Sequence, residues 1–215
     1  MILRELLLGS HRFSELENWL PRISRSLLIQ RLRYLEAVGL VERRAAEGAR
    51  SAEYHLTEAG RDLLDVIVRL GEWSTRWFNP LLEEEDLDPQ LLVWDIHRRL
   101  NVERLPDHRV VVQFEFSGAA KGSYWMVLEP GDPSVCWDPP GFEFDLIVQT
   151  DTLALHRVWL GQQSFADALS RGQIELDGPR DLVRAFPDWL ELSVFATVPR
   201  SYGAAPSSPH SPSVA

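Results

Sequence analysis

The chain is poor in cysteine. Among 215 residues there is one, Cys136, so neither an internal disulfide nor a cysteine-rich zinc site can form. A single thiol between Val135 and Trp137, in a stretch that reads as strand, is expected to be inert and partly buried. It suits a reducing cytoplasm. No charged-then-apolar leader follows Met1, and no run of about 18 apolar residues occurs, so neither export nor a membrane span is expected. Catalytic patterns are missing as well. There is no metal-ligand spacing, no phosphate loop and no nucleophile beside a base. His11, His55, His97, His108, His156 and His210 are dispersed in sequence. Asp95 and His97 stand two residues apart on a predicted helix, where side chains diverge, so both read as surface or structural. The run Glu83-Glu84-Glu85-Asp86 points its carboxylates in different directions and reads as a solvated linker. No cofactor, no metal and no enzymatic activity are expected.

Charge is unevenly divided. Residues 1–80 hold 12 Arg against 11 carboxylates, net +1; residues 81–215 hold 9 Arg and Lys121 against 21 carboxylates, net −11. A near-neutral part joined to a strongly acidic part predicts two domains with different partners. The acidic part would be repelled by a phosphate backbone and should not touch DNA.

Within the first part, the stretch Phe13 to Leu56 carries the pattern. A short helix over Phe13–Leu20 is stopped by Pro21. A second helix opens at Ser24, whose hydroxyl can cap a backbone N–H, and closes at Gly39. Leu28, Leu32 and Leu35 recur at i, i+4 and i+7 and predict a buried stripe. Ser26, Ile29, Gln30, Arg33 and Ala37 fall on the opposite face, with Arg25 near its edge. Arg and Gln there can reach base edges and phosphates in a major groove. Val41–Arg44 and Ser51–Leu56 can pair as a hairpin with Gly48 at the tip, which puts Arg43, Arg44 and Arg50 along a wing. From Arg22 to Arg50 there are seven Arg and three Glu, net +4 in a chain of net −10. A solvated charged face is the bland alternative. Basic residues packed into a helix-turn-helix outline favour binding to double-stranded DNA, with Arg25, Ser26, Ile29, Gln30, Arg33, Arg43, Arg44 and Arg50 as candidate contacts.

Thr57 caps a long helix whose Leu63, Leu64, Ile67, Leu70, Trp73, Trp77 and Phe78 make a wide apolar face, which is expected to pack on another subunit or on the second domain. Residues 80–88 read as a linker. Beyond it, a helix over Pro89–Leu100 precedes strands at Val110–Phe116, Ser123–Leu128, Val135–Trp137 and Phe142–Gln149. They predict an antiparallel sheet built from consecutive hairpins. Helices follow over Thr152–Leu160 and Ser164–Ser170, then a strand at Ile174–Leu176. A last helix opens at Pro179 and runs to about Phe195, broken near Pro187. The tail is rich in Pro, Ser and Ala and is expected to be disordered. The fold class is α+β, with domains at 1–79 and 89–196 and the tail at 197–215.

At these residues the sequence resembles known families. Leu3-Arg4-Glu5-Leu6, Gly9, Arg12-Phe13-Ser14-Glu15-Leu16, Ile23-Ser24, Leu28, Arg31-Leu32, Leu35-Glu36, Gly39-Leu40-Val41, Arg43 and Tyr54-His55-Leu56-Thr57-Glu58-Ala59-Gly60 follow in the order of the HxlR-type winged helix-turn-helix regulators of bacteria. The resemblance implies a recognition helix at Arg25–Ala37, a wing at Val41–Leu56 and a homodimer. In that family the first helix begins earlier, often near a Cys-Pro that can sense redox state; no such cysteine stands here, and redox sensing by that route is not expected. Residues 89–196 are similar, less specifically, to the sterol carrier protein-like fold. The similarity rests on Ser123–Val127, Phe144–Val148, Val158-Trp159-Leu160-Gly161 and Ala166–Gly178. It implies a sheet with helices on one face and an apolar small-molecule site, with Phe114, Phe116, Trp125, Trp137, Trp159 and Phe165 as candidate lining residues. Two functions compete: a DNA-binding transcriptional regulator with an apolar effector, and a hydrophobic-ligand carrier whose first domain is an interaction module. The arginines of the helix and wing favour the regulator.

Overall fold

The computed structural model describes residues 2–7, 9, 11–20, 23–45, 52–77 and 87–201. Arg50, Gly48, the acidic run at 83–86 and the tail from 202 lie outside the described residues. The chain divides into two compact units between Ser74 and Thr75.

The first unit is helical with a two-stranded wing. Its elements are α1 (Ile2–Leu7), α2 (Phe13–Trp19), α3 (Arg25–Ala37), β1 (Val41–Ala45), β2 (Ala52–Leu56) and α4 (Glu58–Trp77), whose last three residues fall past the boundary. Helix α2 starts where it does because the Glu15 carboxylate accepts the backbone N–H groups of His11 and Arg12, each at 2.9 Å. Helix α3 starts at Ser24, whose Oγ accepts the Leu27 N–H at 3.3 Å. It stops at Gly39, which takes φ +74°, a left-handed conformation that glycine enters without a Cβ clash. The predicted stripe is inside: Leu28 and Leu32 are buried, with Ile2, Leu6, Leu16, Leu20, Val41 and Leu56 completing the core and Leu35 packed on it.

The order Thr57–Gly60 has a physical basis. The Thr57 hydroxyl accepts the Gly60 N–H at 3.1 Å and donates to the Gly39 carbonyl at 2.6 Å, so one side chain starts α4 and ties it to the end of α3. A Cβ on Gly60 would lie 2.1 Å from the Leu40 carbonyl oxygen. Only glycine lets the two backbones approach this closely.

The second unit holds α5 (Pro89–His97), β3 (Val110–Ser117), β4 (Gly122–Leu128), β5 (Ser134–Cys136), β6 (Leu146–Asp151), α6 (Thr152–Trp159), α7 (Phe165–Ser170), β7 (Ile174–Asp177) and α8 (Arg180–Trp189). Its strands order as β5-β4-β3-β6-β7. The sheet is mixed rather than purely antiparallel, because β6 runs parallel to β3 while the other pairs are antiparallel. The reason lies between β5 and β6. Pro139 and Pro140 lack ladder donors and cannot prolong a hairpin. The chain then crosses to the far side of β3, where Asp145 docks. Its carboxylate accepts the Val111 N–H, and its own N–H donates to the Val111 carbonyl, both at 2.8 Å.

Helices cover one face. Val110, Val112, Phe114 and Phe116 of β3 share a core with Leu92, Val93 and Ile96 of α5, Leu155, Val158 and Trp159 of α6, and Leu182, Phe186 and Trp189 of α8. The last helix is shorter than predicted: α8 contains Pro187 and ends at Trp189, two residues beyond it and well before Phe195. A proline two residues from a helix end removes one late hydrogen bond without breaking the helix into two.

Candidate nucleic-acid interface

Helix α3 presents the face that its periodicity predicts. Arg25, Ser26, Gln30 and Arg33 are exposed, Ile29 is half-buried, and Leu28 and Leu32 point the other way. The wing pairs in antiparallel register, Arg43 opposite Tyr54 and Arg44 opposite Glu53. Because side chains alternate along a strand, Arg43 faces one side of the wing and Arg44 the other. Both are exposed. The β2 strand is also held from its free edge: Tyr54 N–H donates to the His11 carbonyl at 2.8 Å, and Arg12 bridges to Glu53. This connection fixes the wing against the start of α2.

Between helix and wing lies a groove of about 480 Å³. Arg12, Arg25, Arg33 and Arg43 line it together with Phe13 and Tyr54. Four guanidinium groups around one concavity make a positive surface of the kind that attracts a phosphate backbone. Glu17 and Glu36 lie in the same groove and temper that field. Arg25 donates from Nη1 to Glu17 Oε2 at 2.7 Å, and Arg44 donates to Glu42. Arg33 and Arg43 have no hydrogen bond or ion pair among the described residues. The structure therefore brings Arg25, Ile29, Arg33 and Arg43 to one groove. It leaves Arg44 on the reverse of the wing, and Arg50 lies outside the described residues. Arg12 was not singled out by the sequence pattern. Its only early signal was its place in the Arg12-Phe13 pair at the start of α2.

The aromatic candidates of the second unit fall on two sides of the sheet. Phe114, Phe116 and Trp159 are buried on the helix-covered face. Ring contacts run in a chain from Trp137 to Tyr124, Phe116, Phe114, Phe186 and Phe165, with centroid separations of 5.8 to 6.4 Å. Trp137 and Phe165, at its two ends, are half-buried. Trp125 stands apart. It pairs with Gln113 and Cys136 across the uncovered face, and its Nε1 donates to Gln113 Oε1 at 3.1 Å. Tyr124 and Phe186 are the members of the chain that sequence reasoning missed.

At the carboxyl ends of β3 and β6, a polar groove of about 530 Å³ is lined by Glu115, Gln149, Asp151, Gln173 and Glu175 among others. Both Glu115 oxygens accept side-chain amides, from Gln113 at 2.7 Å and Gln149 at 3.0 Å. His97 is structural: its Nε2–H donates to the Pro133 carbonyl at 2.8 Å and its ring stacks on Trp94. Among the described residues no group of three or more His, Cys, Asp or Glu could hold a metal ion, and no helix is long and apolar enough to cross a membrane.

A recognition helix seated on a small apolar core and followed by a tethered two-stranded wing defines a winged helix-turn-helix of the DNA-binding class. The chain belongs to the HxlR-like helix-turn-helix family, whose model matches residues 1–81. The HTH-type transcriptional regulator YvaP of Bacillus subtilis is 40% identical over 81 residues, which are 37% of this chain and 75% of that protein. The reduced form of the transcriptional regulator YodB from B. subtilis is 32% identical over 37% of this chain and 78% of its own, with a TM-score of 0.34. The sec-alkylsulfatase Pisa1 from Pseudomonas sp. matches 52% of this chain and 18% of its own at 17% identity, with a TM-score of 0.43. The chain spans between about half and four fifths of the length of the curated relatives it matches.

Proposed function

We propose that this chain is a sequence-specific DNA-binding transcriptional regulator rather than an enzyme. One observation carries the reading: the exposed face of α3 holds Ser26, Gln30 and Arg33 beside a groove with four arginines. These are the side chains that a major-groove helix needs, at the place where such a helix presents them. Arg33 and Gln30 contact base edges, and Arg43 contacts the backbone. The family membership of residues 1–81 supports the same reading.

The active form in this proposal is a homodimer, since one recognition helix reads too few base pairs for specificity and half-sites repeat about one DNA turn apart. Helix α4 supports it. Leu70, Trp73 and Trp77 fall along one apolar stripe and are exposed by 61%, 49% and 59%, which is costly in water for a helix of 20 residues. A second copy can cover that stripe. The second unit takes an apolar effector at the aromatic layer, entering beside the half-buried Trp137 or Phe165. An effector that binds one dimer geometry better than the other would change operator affinity.

The deciding measurement is binding of the purified chain to its own upstream DNA and to a scrambled duplex across a salt series. Preference for its own DNA, with affinity falling steeply as salt rises, is the expected result. Equal or absent binding to the two duplexes, together with capture of an apolar ligand, would replace the regulator with a hydrophobic-ligand carrier.

A further inference from the structure

The arginines in the groove are held differently. Arg33 and Arg43 stand in solvent without a hydrogen bond or ion pair among the described residues. Arg12 reaches Glu53 only at 3.8 Å. Arg25 is fixed twice: its Nη1 donates to Glu17 Oε2 at 2.7 Å, and its Cζ lies 4.8 Å from the centroid of the Phe13 ring. Phe13 and Glu17 are four residues apart on α2, so one helix face supplies both a ring beneath the guanidinium and a carboxylate at its edge. Arg25 is the first residue of α3, at the end that enters a major groove first.

We infer that Glu17 and Phe13 position Arg25 to read a guanine, and that Arg25 is not a phosphate contact. The inference rests on the DNA-binding reading above and deepens it. The chemistry separates the two uses. A phosphate contact needs a mobile cation with net positive charge. A guanidinium already neutralised by Glu17 contributes little to counterion release, and bringing the pair against a phosphate would place Glu17 near a second anion. A base edge makes the opposite demand. Guanine offers two neutral acceptors, N7 and O6, side by side in the major groove, and two parallel N–H donors in a fixed plane match them. Guanidinium carries five N–H donors. One is spent on Glu17, and the fork that remains is held in one orientation, so less rotamer freedom is lost on binding. Glu17 thus acts through Arg25: it is a positioning residue for specificity, and its charge opposes affinity.

The test is selection from a random duplex pool by the full chain, followed by a salt series on the selected duplex and on its single-pair variants. Wild type, Glu17→Gln and Arg25→Lys are compared, with melting temperatures as a control on folding. Glutamine keeps the shape of Glu17 and loses its charge; lysine keeps the charge of Arg25 and loses the fork. The wild type should select a site with a guanine whose replacement weakens binding about tenfold. Both variants should lose that preference while binding the scrambled duplex as tightly as wild type or tighter, and Arg25→Lys should leave the salt slope unchanged. An unchanged guanine preference in either variant overturns the inference and leaves the DNA-binding reading standing. A wild type that selects no sequence at all overturns that reading itself.

Discussion

In the first unit the residues singled out by pattern stand outside. Arg25, Gln30, Arg33 and Arg43 are exposed, and the apolar stripe beneath them is short. In the second unit the residues singled out by type mostly stand inside. Phe114 is fully buried, Phe116 and Trp159 nearly so, and the opposite face carries Gln113, Glu115 and Gln149 beside the buried Val111 and Val127. The difference shows what a residue type means in each setting. An arginine on the polar face of a short helix is not needed by the core, so in the function proposed above its presence points outward to a partner. An aromatic residue in a strand has a structural duty by default. In the function proposed above it becomes a ligand contact only where the layer around it is incomplete, as at the half-buried Trp137 and Phe165.

The strongest way to break this comparison is to truncate the centre of the aromatic layer. Phe114→Ala removes a fully buried ring between Phe116 and Phe186 and should cost about 3–5 kcal/mol in urea unfolding. A small loss of stability together with altered uptake of an apolar dye would show that the layer is a loosely filled site and that Phe114 lines it.

A smaller loss tests the first unit's architecture. In an ordinary helix, Gly60→Ala would gain about 1 kcal/mol from helix propensity. Here the new Cβ meets the Leu40 carbonyl oxygen at 2.1 Å, a backbone atom that cannot rotate away. Overpacking of this kind costs about 1–3 kcal/mol. The net change should be destabilising, and a rise in melting temperature would show that α4 has room to shift from the Leu40 backbone.

These two positions also show what was legible in the sequence. Helix α3, its caps and its outward face followed from a spacing of three and four and from Ser24 and Gly39, all local signals. The Thr57–Gly60 run marked a helix start, but its second duty, a close crossing with Leu40, is a long-range contact that no local pattern encodes. The same holds for the sheet. Alternation at Val110–Phe116 predicted β3 and its buried face. The parallel pairing with β6 depends on Asp145 reaching Val111 across 34 residues, and consecutive hairpins were the wrong extrapolation from short strands. The pair of Arg25 with Glu17 was illegible for the same reason: the two residues sit on different helices, and only the turn between α2 and α3 brings them together.

For the interface itself the effects are on binding. Arg33→Ala should weaken specific binding by about 1–3 kcal/mol and non-specific binding by less. Arg43→Ala should weaken both alike and flatten the salt slope by about one unit. Equal losses for Arg33→Ala on both duplexes would move it from the base edges to the backbone, and the contrast between helix and wing would go with it.

The smallest effect concerns acid. Burial holds the His97 and His156 pKa values below the usual histidine range, with the neighbouring Arg98 adding to the effect at His97, while the Pro133 carbonyl and Asp132 oppose it. Both rings are therefore neutral in the folded chain near pH 7. In the unfolded chain they protonate near pH 6.5. Below that pH the unfolded state takes up protons that the folded state refuses, so stability falls as the pH drops through about 6.5, until the folded rings also titrate. At His97 the Nε2–H is committed to Pro133, so the incoming proton must go to Nδ1, which is buried without a hydrogen-bond partner among the described residues. Melting temperature should decline between pH 7.5 and 5.5, and the decline should be shallower in His156→Gln, which cannot titrate. An identical decline in that variant would mean that the His156 ring reaches water in the folded state, and would assign the acid sensitivity of the second unit to other groups.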